Sequence, residues 1–414
     1  MLLAHLLRHL VRKGTLRVID ARGTLHSFAG EPGPTITIRL RDAALGRKLF
    51  LNPRLHLGEA FMDGTLAIED ASVYDFLDFI GANMSLAPHT ALTPLYNGFG
   101  RAFRVFQQYN PLRRARANVA HHYDLSDTLY DLFLDADRQY SCAYFLAPDQ
   151  GIEEAQANKK RHIAAKLLLK PGQTVLDIGC GWGGLALYLA RECDVAVTGL
   201  TLSSEQLKVA QRRAADAGLG ERVRFELCDY RQAAGRYDRI VSVGMFEHVG
   251  VVHYPVFFRK LKELLAEDGV ALLHSIGRHD GPGATNPWLR KYIFPGGYSP
   301  AVSEVVPVVE RTGLWITDIE ILRLHYAETL RAWRQRFNAN RERVRTLYDE
   351  RFCRMWEFYL AGSEVAFRHQ GHMNFQMQLA KRVDAVPLTR DYITDWERSH
   401  RAPEAERAAR ARRA

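Results

Sequence analysis

The sequence lacks several features that mark common classes of protein. Its 414 residues contain no run of eighteen consecutive apolar residues, so no membrane-spanning helix is expected. Only five cysteines occur and none forms a CxxC pair, which argues against a structural metal site and for a reducing compartment. The N-terminus has no signal-peptide pattern, and no RNP segment or zinc finger is present. A cytoplasmic protein without a nucleic-acid partner is therefore expected.

Positive charge is a marked feature of the composition, with a formal net charge of +9 at pH 7. Part of this charge is clustered: Arg101–Ala120 contains five arginines and no acidic residue, and Arg401–Ala414 is rich in arginine and alanine. Such clusters favour an anionic partner, and by charge alone nucleic acid or a phospholipid surface would both fit. Leucines recur at helical spacing in Leu2–Leu10, with basic residues between them. This helix could lie on a membrane surface or pack on its own domain.

The chain divides into four predicted parts. Residues 1–90 contain short β-like runs separated by glycine and proline turns, then a helix, which predicts a small α+β domain for binding or docking. Residues 91–118 form a basic linker, residues 119–395 a larger domain and residues 396–414 a basic tail. The predicted β runs of the first domain are Thr15–Ile19, Thr24–Phe28, Thr35–Leu40 and Lys48–Leu51, and its helix lies near Ser72–Ile80.

Helical and strand patterns alternate from Gln156 to Ser275. Alternation of this kind builds an α/β fold, in which a Rossmann-like parallel sheet carries helices on both faces. The last third of the chain is predicted to be helical, because apolar residues recur every three to four positions from Leu330 to Tyr359. Ligands of parallel sheets bind at the carboxyl ends of the strands. Five polar residues fall at those ends, namely Asp177, Thr201, Asp229, Glu247 and His274.

A glycine-rich turn, VLDIGCGWGG at Val175–Gly184, follows the first of these strands. Gly179, Gly181 and Gly183 let the backbone approach a ligand closely, and Asp177 can meet a cationic or hydroxylated ligand. The next strand ends without the acidic residue that binds the ribose of a dinucleotide, and no P-loop GK[ST] follows the glycines. S-adenosylmethionine remains the common ligand of such a turn.

Further motifs, in consecutive order, resemble those of one enzyme family, the cyclopropane-fatty-acyl-phospholipid synthases. The resemblance runs from Asn118 to about residue 380, and YSCAYF and SVGMFEHVG are its most specific parts. The N-terminal region, which ends near GEAFMDGTLAIED, is similar to the lipid-binding domain of the family. The motifs are HYDLSDTLYDLFLD (His122–Asp135), YSCAYF (Tyr140–Phe145), VLDIGCGWGG, GLTLSSEQ (Gly199–Gln206), YDRIVSVGMFEHVG (Tyr237–Gly250), LLHSIG (Leu272–Gly277), KYIFPGG (Lys291–Gly297), HYAETL (His325–Leu330) and AFR (Ala366–Arg368).

This resemblance implies a class I methyltransferase domain with helical insertions, preceded by a small α+β lipid-binding domain. It implies methyl transfer from S-adenosylmethionine to a cis double bond of an unsaturated phospholipid, giving a carbocation that closes to a cyclopropane when a proton leaves. The implied base is a bound bicarbonate ion, held by Cys142, Glu247, His274, the Ile276 backbone and Tyr326. A homodimer, peripheral on the inner face of an anionic membrane, is also implied.

The residues expected around S-adenosylmethionine are Tyr140, Ser141, Asp177, Gly179, Gly181, Gly183, Thr201, Gln206, Asp229 and Tyr230. One position departs from the family pattern, since Ser363 stands where many members have a cysteine three residues before AFR. That cysteine is dispensable if bicarbonate is the base. The alternative is a methyltransferase of the same family whose carbocation rearranges and loses a different proton, which gives methyl-branched or methylene acyl chains.

Overall fold

The computed structural model describes residues 2–86 and 126–401. These residues form two β-sheets, one in each of the two folded parts predicted from the sequence. The predicted basic linker at 91–118 lies outside the described residues, and so does the predicted tail from residue 402 onward. A helix at Asp391–Ser399 runs across the predicted boundary at 395. Within the described ranges, no helix is long and apolar enough to cross a membrane.

The N-terminal part combines a four-stranded sheet with four helices, as its α+β pattern predicts. Its elements are α1 (Leu2–Leu10), β1 (Lys13–Ile19), β2 (Leu25–Ala29), β3 (Glu31–Leu40), α2 (Leu45–Leu51), α3 (Pro53–Met62), β4 (Leu66–Ile68) and α4 (Val73–Leu86). The strand order is β2-β1-β3-β4. Strands β1 and β3 pair in parallel, and the other pairs are antiparallel.

Buried leucines fix the first two helices of this domain. Helix α1 packs on its own domain, because Leu3 and Leu7 are buried in the core of the four-stranded sheet. Of the two interpretations that its sequence allows, the structure therefore supports intramolecular packing. The β run predicted at Lys48–Leu51 is wrong, since this segment is the second half of α2. Leu45 and Leu49 lie one helical turn apart and are both buried, so helical packing outweighs the short β-like pattern.

The second part contains the Rossmann-like sheet, with seven strands. Its elements are α5 (Asp127–Asp131), α6 (Ile152–Leu167), β5 (Thr174–Ile178), α7 (Gly184–Cys193), β6 (Ala196–Thr201), α8 (Ser204–Asp216), β7 (Val223–Leu227), β8 (Tyr237–Val243), α9 (Tyr254–Leu264), β9 (Leu265–Arg278), α10 (Pro287–Tyr292), α11 (Val302–Thr312), β10 (Trp315–Ile321), α12 (His325–Ala339), α13 (Arg341–Leu347), α14 (Glu350–His369), β11 (His372–Ala380) and α15 (Asp391–Ser399). The order is β10-β11-β9-β8-β5-β6-β7, and the five strands from β9 to β7 pair in parallel.

The prediction that the last third of the chain is helical is wrong for two segments, which form β10 and β11. Strand β11 lies antiparallel between β9 and β10, and its register places Gln376 opposite His274. Its sequence, HMNFQMQLA, alternates amide and apolar side chains. The amides of Asn374, Gln376 and Gln378 are nevertheless buried like their apolar neighbours. Both faces of β11 are thus covered, which a half-polar sequence does not suggest.

The N-terminal domain is docked on the larger domain through close packing and charge. A Cβ atom at Gly58 would lie 2.5 Å from Trp288 Nε1, so the indole rests directly on the backbone of α3. The same indole nitrogen lies 3.2 Å from Met62 Sδ. Elsewhere in the interface, the Arg334 guanidinium of α12 lies 3.9 Å from the centre of the Tyr74 ring of α4. The two domains therefore share a packed interface that includes an indole and a cation–π contact.

Candidate active site

The three glycines of the turn between β5 and α7 have positive φ angles of +87°, +54° and +83°, but they serve different purposes. A Cβ atom would lie 2.7 Å from Met245 Cβ at Gly179, and 2.5 Å from the Phe225 ring at Gly183. At Gly181 no atom lies within 4 Å of that position, so its backbone faces open space. Gly183 therefore lets α7 pack closely against β7, whereas Gly181 leaves room for a ligand.

An open cavity lies over this turn at the carboxyl ends of β5 and β6, with a volume of about 1240 Å³ that includes the solvent space at its entrance. Both apolar and polar residues line the cavity, which is typical of a site for an organic ligand. Nine of the ten residues predicted to bind S-adenosylmethionine line it, namely Tyr140, Ser141, Asp177, Gly179, Gly181, Thr201, Gln206, Asp229 and Tyr230. The tenth, Gly183, faces the Phe225 ring instead.

Asp177 places a buried carboxylate in the wall of this cavity. It is 2% exposed, and its Oδ2 atom has no hydrogen-bond partner among the described residues. Burial raises the pKa of Asp177 to about 7, because a low-dielectric environment disfavours the charged form. A ligand with a positive charge or a hydroxyl group would satisfy this oxygen. The ammonium group of S-adenosylmethionine fits that requirement.

At the ends of β6 and β7, the predicted residues are already in contact with protein groups. Thr201 Oγ1 donates to Gln206 Oε1 at 3.0 Å. Both carboxylate oxygens of Asp229 accept hydrogen bonds from Arg231, at 2.7 Å from Nε and Nη2. The Arg231 guanidinium also lies 5.5 Å from the centre of the Tyr230 ring. Arg231 lines the cavity and was missed from the sequence, although its position in the DYR segment was an available signal.

A second group of residues lies beside the cavity, and hydrogen bonding brings two of its members together. The Ala143 N–H donates to Thr329 Oγ1 at 3.0 Å, which fastens the segment of Cys142 to the helix that carries Tyr326. Cys142 and Tyr326 are buried in one apolar cluster, with Ile276 packed at its edge. Burial raises the pKa of the Cys142 thiol, so it remains protonated, and here its Sγ donates to the Ala143 carbonyl oxygen at 3.4 Å.

Glu247 lies just after β8 and directs its carboxylate into the protein. Its Oε1 atom accepts the Ile276 backbone N–H at 2.6 Å, whereas its buried Oε2 atom has no partner among the described residues. Burial raises the pKa of Glu247 to about 7. The Ile276 amide, predicted to face bicarbonate, therefore donates to Glu247 here. A small polar ligand would still find an unsatisfied oxygen at Oε2, and in this respect the residues fit bicarbonate.

His274 is fully buried in β9, and both of its ring nitrogens face side-chain amides of β11. Asn374 Nδ2 lies 3.2 Å from Nε2, and Gln376 Nε2 lies 3.1 Å from Nδ1. Burial lowers the pKa of His274 to about 3, so the ring is neutral and carries one N–H. The two amides were missed from the sequence because no strand was assigned there. The alternating Asn and Gln of NFQMQ were the available signal.

The five predicted catalytic residues thus lie next to the cavity, not in its wall. Ser141 and Cys142 are consecutive, so the segment of Tyr140–Phe145 separates the two groups and contributes to both.

Helix α6 adds two residues that were also missed. Gln156 Nε2 donates to the carbonyl oxygens of Gln139 and Ser141, at 3.2 and 3.0 Å. Lys159 lines the cavity. A helical face with both apolar and amide groups gave no clear signal in the sequence.

Known proteins resemble this chain in sequence and in structure. The mycolic acid cyclopropane synthetase family model matches residues 110–377. A cyclopropane-fatty-acyl-phospholipid synthase of Escherichia coli (strain K12) is 37% identical over 348 residues, which cover 84% of this chain and 88% of that one. A probable fatty acid methyltransferase of Pseudomonas putida is 36% identical over 379 residues, 87% and 92% of the two chains.

The solved structures include a mycolic acid cyclopropane synthase complexed with SAH and CTAB. It is 36% identical with a TM-score of 0.61, and the match covers 64% of this chain and 97% of that one. The likeness confirms the predicted class I methyltransferase fold and supports S-adenosylmethionine as the methyl donor. With a family model that matches more than half of its length, this chain belongs to the mycolic acid cyclopropane synthetase family of S-adenosylmethionine-dependent transferases.

Proposed function

We propose that this protein converts cis double bonds in phospholipid acyl chains to cyclopropanes. The observation that carries the proposal is the buried polar set of Cys142, Glu247, His274 and Tyr326 beside the cofactor cavity, next to an apolar cluster rich in aromatic rings. An apolar acceptor such as an alkene suits such a cluster better than a charged acceptor does. The relative in Escherichia coli is named for this activity.

Aromatic side chains near the cavity suit a reaction that passes through a carbocation. An alkene is a weak nucleophile, so it must be held in line with the methyl group while water is excluded. The Trp333 ring centre lies 5.2 Å from that of Tyr140 and 5.8 Å from that of Tyr326. Electron-rich ring faces stabilise a nearby cation. We assign these three rings to the wall around the reacting carbon.

Bicarbonate is our proposed base, and when bound it would accept the proton that must leave before the ring closes. The residues around it would hold and orient it: Cys142 and Tyr326 carry donor groups, and the neutral His274 would contribute its one N–H in exchange for the contact that this nitrogen makes with an amide of β11. These groups are poor bases themselves, because Cys142 remains protonated and both His274 nitrogens face amides. Glu247, with a pKa near 7, can hold or release a proton at Oε2 close to neutral pH.

A second product is supported by the relative in Pseudomonas putida, which is named a probable fatty acid methyltransferase. The same carbocation could instead rearrange by a 1,2-hydride shift and lose a proton of the methyl group, which gives a methylene chain, or lose a proton of a neighbouring chain carbon, which gives a methyl-branched alkene. Ser363, where many family members have a cysteine, fits either product if bicarbonate is the base. The outcomes differ in whether a hydride shifts first and in which proton is then lost.

The test is incubation of the purified protein with S-adenosylmethionine and vesicles of cis-unsaturated phospholipid, followed by mass spectrometry of the acyl chains. A gain of one CH₂ per double bond is expected, and NMR then separates a cyclopropane from a branched alkene. Replacing bicarbonate-containing buffer by bicarbonate-depleted buffer should slow the reaction, and added bicarbonate should restore it. No gain on any unsaturated phospholipid would rule out both products.

The proposal includes membrane association and a homodimer. Support for an anionic membrane surface comes from the net charge of +9 and from the arginine clusters of the sequence. Flotation with anionic and with neutral vesicles tests this part, and binding only to anionic vesicles is expected. The homodimer, on the cytoplasmic side of the inner membrane, rests on family resemblance, and light scattering after size exclusion tests the dimer.

A further inference from the structure

Lys159 is a buried lysine in the wall of the cofactor cavity. It lies on α6 and is 1% exposed, so its ammonium group has lost nearly all contact with bulk water. Removing a charge from water is costly unless a partner of opposite charge or several hydrogen bonds compensate for it. Burial lowers the pKa of Lys159 to about 8, which reflects this cost.

The hydrogen bonds of Lys159 go to neutral oxygens. Its Nζ atom donates to Gln139 Oε1 at 2.6 Å and to Ser141 Oγ at 2.8 Å. Within residues 2–86 and 126–401, the ammonium forms no ion pair and has no third hydrogen-bond acceptor. An ammonium group has three N–H donors. Lys159 therefore retains one donor in the cavity wall, and its charge has no carboxylate in direct contact, although Asp135 and Asp137 attract it from a greater distance.

The direction of these hydrogen bonds fixes the Ser141 hydroxyl. An ammonium group can only donate, so Ser141 Oγ must accept from Lys159, and its own proton has to point to another acceptor. The Ser141 backbone is held at the same time, because its carbonyl oxygen accepts from Gln156 Nε2 at 3.0 Å. Ser141 and Lys159 both line the cavity. They present two donors to a ligand that enters it.

Asp177 supplies the opposite charge in the same wall. Its partnerless Oδ2 atom and the spare donor of Lys159 both belong to the lining of one cavity. The Lys159 charge also acts against the rise in the pKa of Asp177, which places the two groups within electrostatic reach of each other. The amino-acid end of the methyl donor is a zwitterion, with one carboxylate and one ammonium group. Complementary charges of this kind orient a ligand as well as bind it.

We propose that Lys159 is a positioning residue that binds the carboxylate of S-adenosylmethionine, directly by charge and through the oriented Ser141 hydroxyl. This inference rests on the proposed function only in taking S-adenosylmethionine as the ligand of the cavity. Lys159 would hold the amino-acid end in place, in a cavity that lies next to the buried set of Cys142, Glu247, His274 and Tyr326. The reaction itself requires no proton transfer from Lys159.

A pair of ligands that differ only by the carboxylate tests the proposal. S-adenosylhomocysteine and its decarboxylated analogue are titrated by calorimetry into the wild type, Lys159→Met and Ser141→Ala. Lys159→Met should weaken S-adenosylhomocysteine about tenfold or more, as expected for a lost charged hydrogen bond, and should leave the analogue within about twofold. Equal losses for both ligands would show a merely structural role, and no loss for S-adenosylhomocysteine would also overturn the proposal.

The pH dependence gives a second readout that a structural role would not produce. In the wild type, the affinity for S-adenosylhomocysteine divided by the affinity for its decarboxylated analogue should fall as the pH rises through about 8, because Lys159 loses its proton. In Lys159→Arg the ratio should stay constant to higher pH, since guanidinium remains charged. The titratable groups that act on Lys159, or on which it acts, are Asp135, Asp137, Lys160, Cys142, Asp177 and His274. A wild-type ratio that does not change with pH would overturn the proposal.

The failure of this inference can be told apart from the failure of the proposed function. If Lys159→Met does not fold, as judged by circular dichroism, the pH profiles of the wild type and Lys159→Arg decide. If the wild type binds S-adenosylhomocysteine with the predicted carboxylate dependence but modifies no phospholipid, the proposed function fails and the role of Lys159 stands. If the wild type binds neither ligand, both are wrong.

Discussion

Glu364 is the residue whose replacement should most clearly reveal how the N-terminal domain is held on the methyltransferase domain. Its side chain is fully buried. The carboxylate accepts from Arg334 Nε at 2.9 Å and from Arg368 Nε at 3.0 Å. Arg334 in turn lies over the Tyr74 ring of the N-terminal domain. Glu364→Gln would remove the negative charge and keep the volume, so its effect reports on the charge alone.

The expected loss follows from the exposure of the two arginines. Removing one partner of a buried ion pair costs about 3–5 kcal/mol, because the other charge stays buried without compensation. Here the Arg334 side chain is 14% exposed, and Arg368 keeps a second carboxylate, Glu328, at 2.9 Å. Glutamine also retains one acceptor oxygen. We therefore expect a decrease of about 2 kcal/mol in the free energy of unfolding.

Urea denaturation followed by tryptophan fluorescence measures this decrease, and Glu205→Gln is the matched control. Glu205 is 53% exposed and pairs with Lys208, which is 70% exposed, so this substitution should leave the unfolding midpoint unchanged. If Glu364→Gln also leaves the midpoint unchanged, the buried ion pairs do not stabilise the fold. If it lowers the midpoint of one domain only, the effect does not extend across the interface through Arg334 and Tyr74.

Three further predictions concern the site. Gly183→Ala should lower the free energy of unfolding by about 2 kcal/mol or more, because φ is positive there and the added Cβ would lie 2.5 Å from the Phe225 ring. Gly181→Ala should mainly weaken cofactor binding. Melting curves measure the first effect and calorimetry measures the second. The pKa of Glu247 is raised from 4.5 to about 7, so the contribution of its protonated form to stability is lost as the pH rises between these values. The melting temperature of Glu247→Gln should therefore change less with pH in this range than that of the wild type. Equal slopes of melting temperature against pH for the two proteins would contradict this. Gln376→Leu should slow product formation and leave S-adenosylhomocysteine affinity unchanged, because the amide touches the imidazole of His274 and not the cavity; a loss of affinity would contradict it.

Much of the cofactor site could be predicted from the sequence, because it is built from one local pattern. The turn of Val175–Gly184 follows a strand and opens a helix, so the fold places it at the edge where ligands of parallel sheets bind. Gly183 was predicted to lie against the ligand, but the space beside its Cα is filled by the Phe225 ring. A glycine motif alone does not show which of its glycines face the ligand and which face a neighbouring side chain. That distinction depends on the neighbouring strand, which the motif does not contain.

The surroundings of His274 could not be predicted in the same way. They depend on β11, whose pairing with β9 is a contact between distant parts of the chain. The helical periodicity of Leu330–Tyr359 predicts helices for the whole last third of the chain, whereas the segments on either side of it form β10 and β11. Lys159 was missed for a related reason: a lysine on a helix is normally solvated, and only the tertiary structure shows that this one is buried.

The position of β11 in the sheet has a consequence for the order in which the protein can assemble. Asn374 and Gln376 come 100 and 102 residues after the nitrogens of His274 that they face. The residues that line the cofactor cavity, by contrast, all lie between Arg138 and Val249. During synthesis the parallel strands can pair well before the last strand exists, since contacts between nearby segments form first. A nascent chain can therefore form the cavity before the imidazole of His274 meets Asn374 and Gln376, so the proposed catalytic residues are completed after the proposed cofactor site.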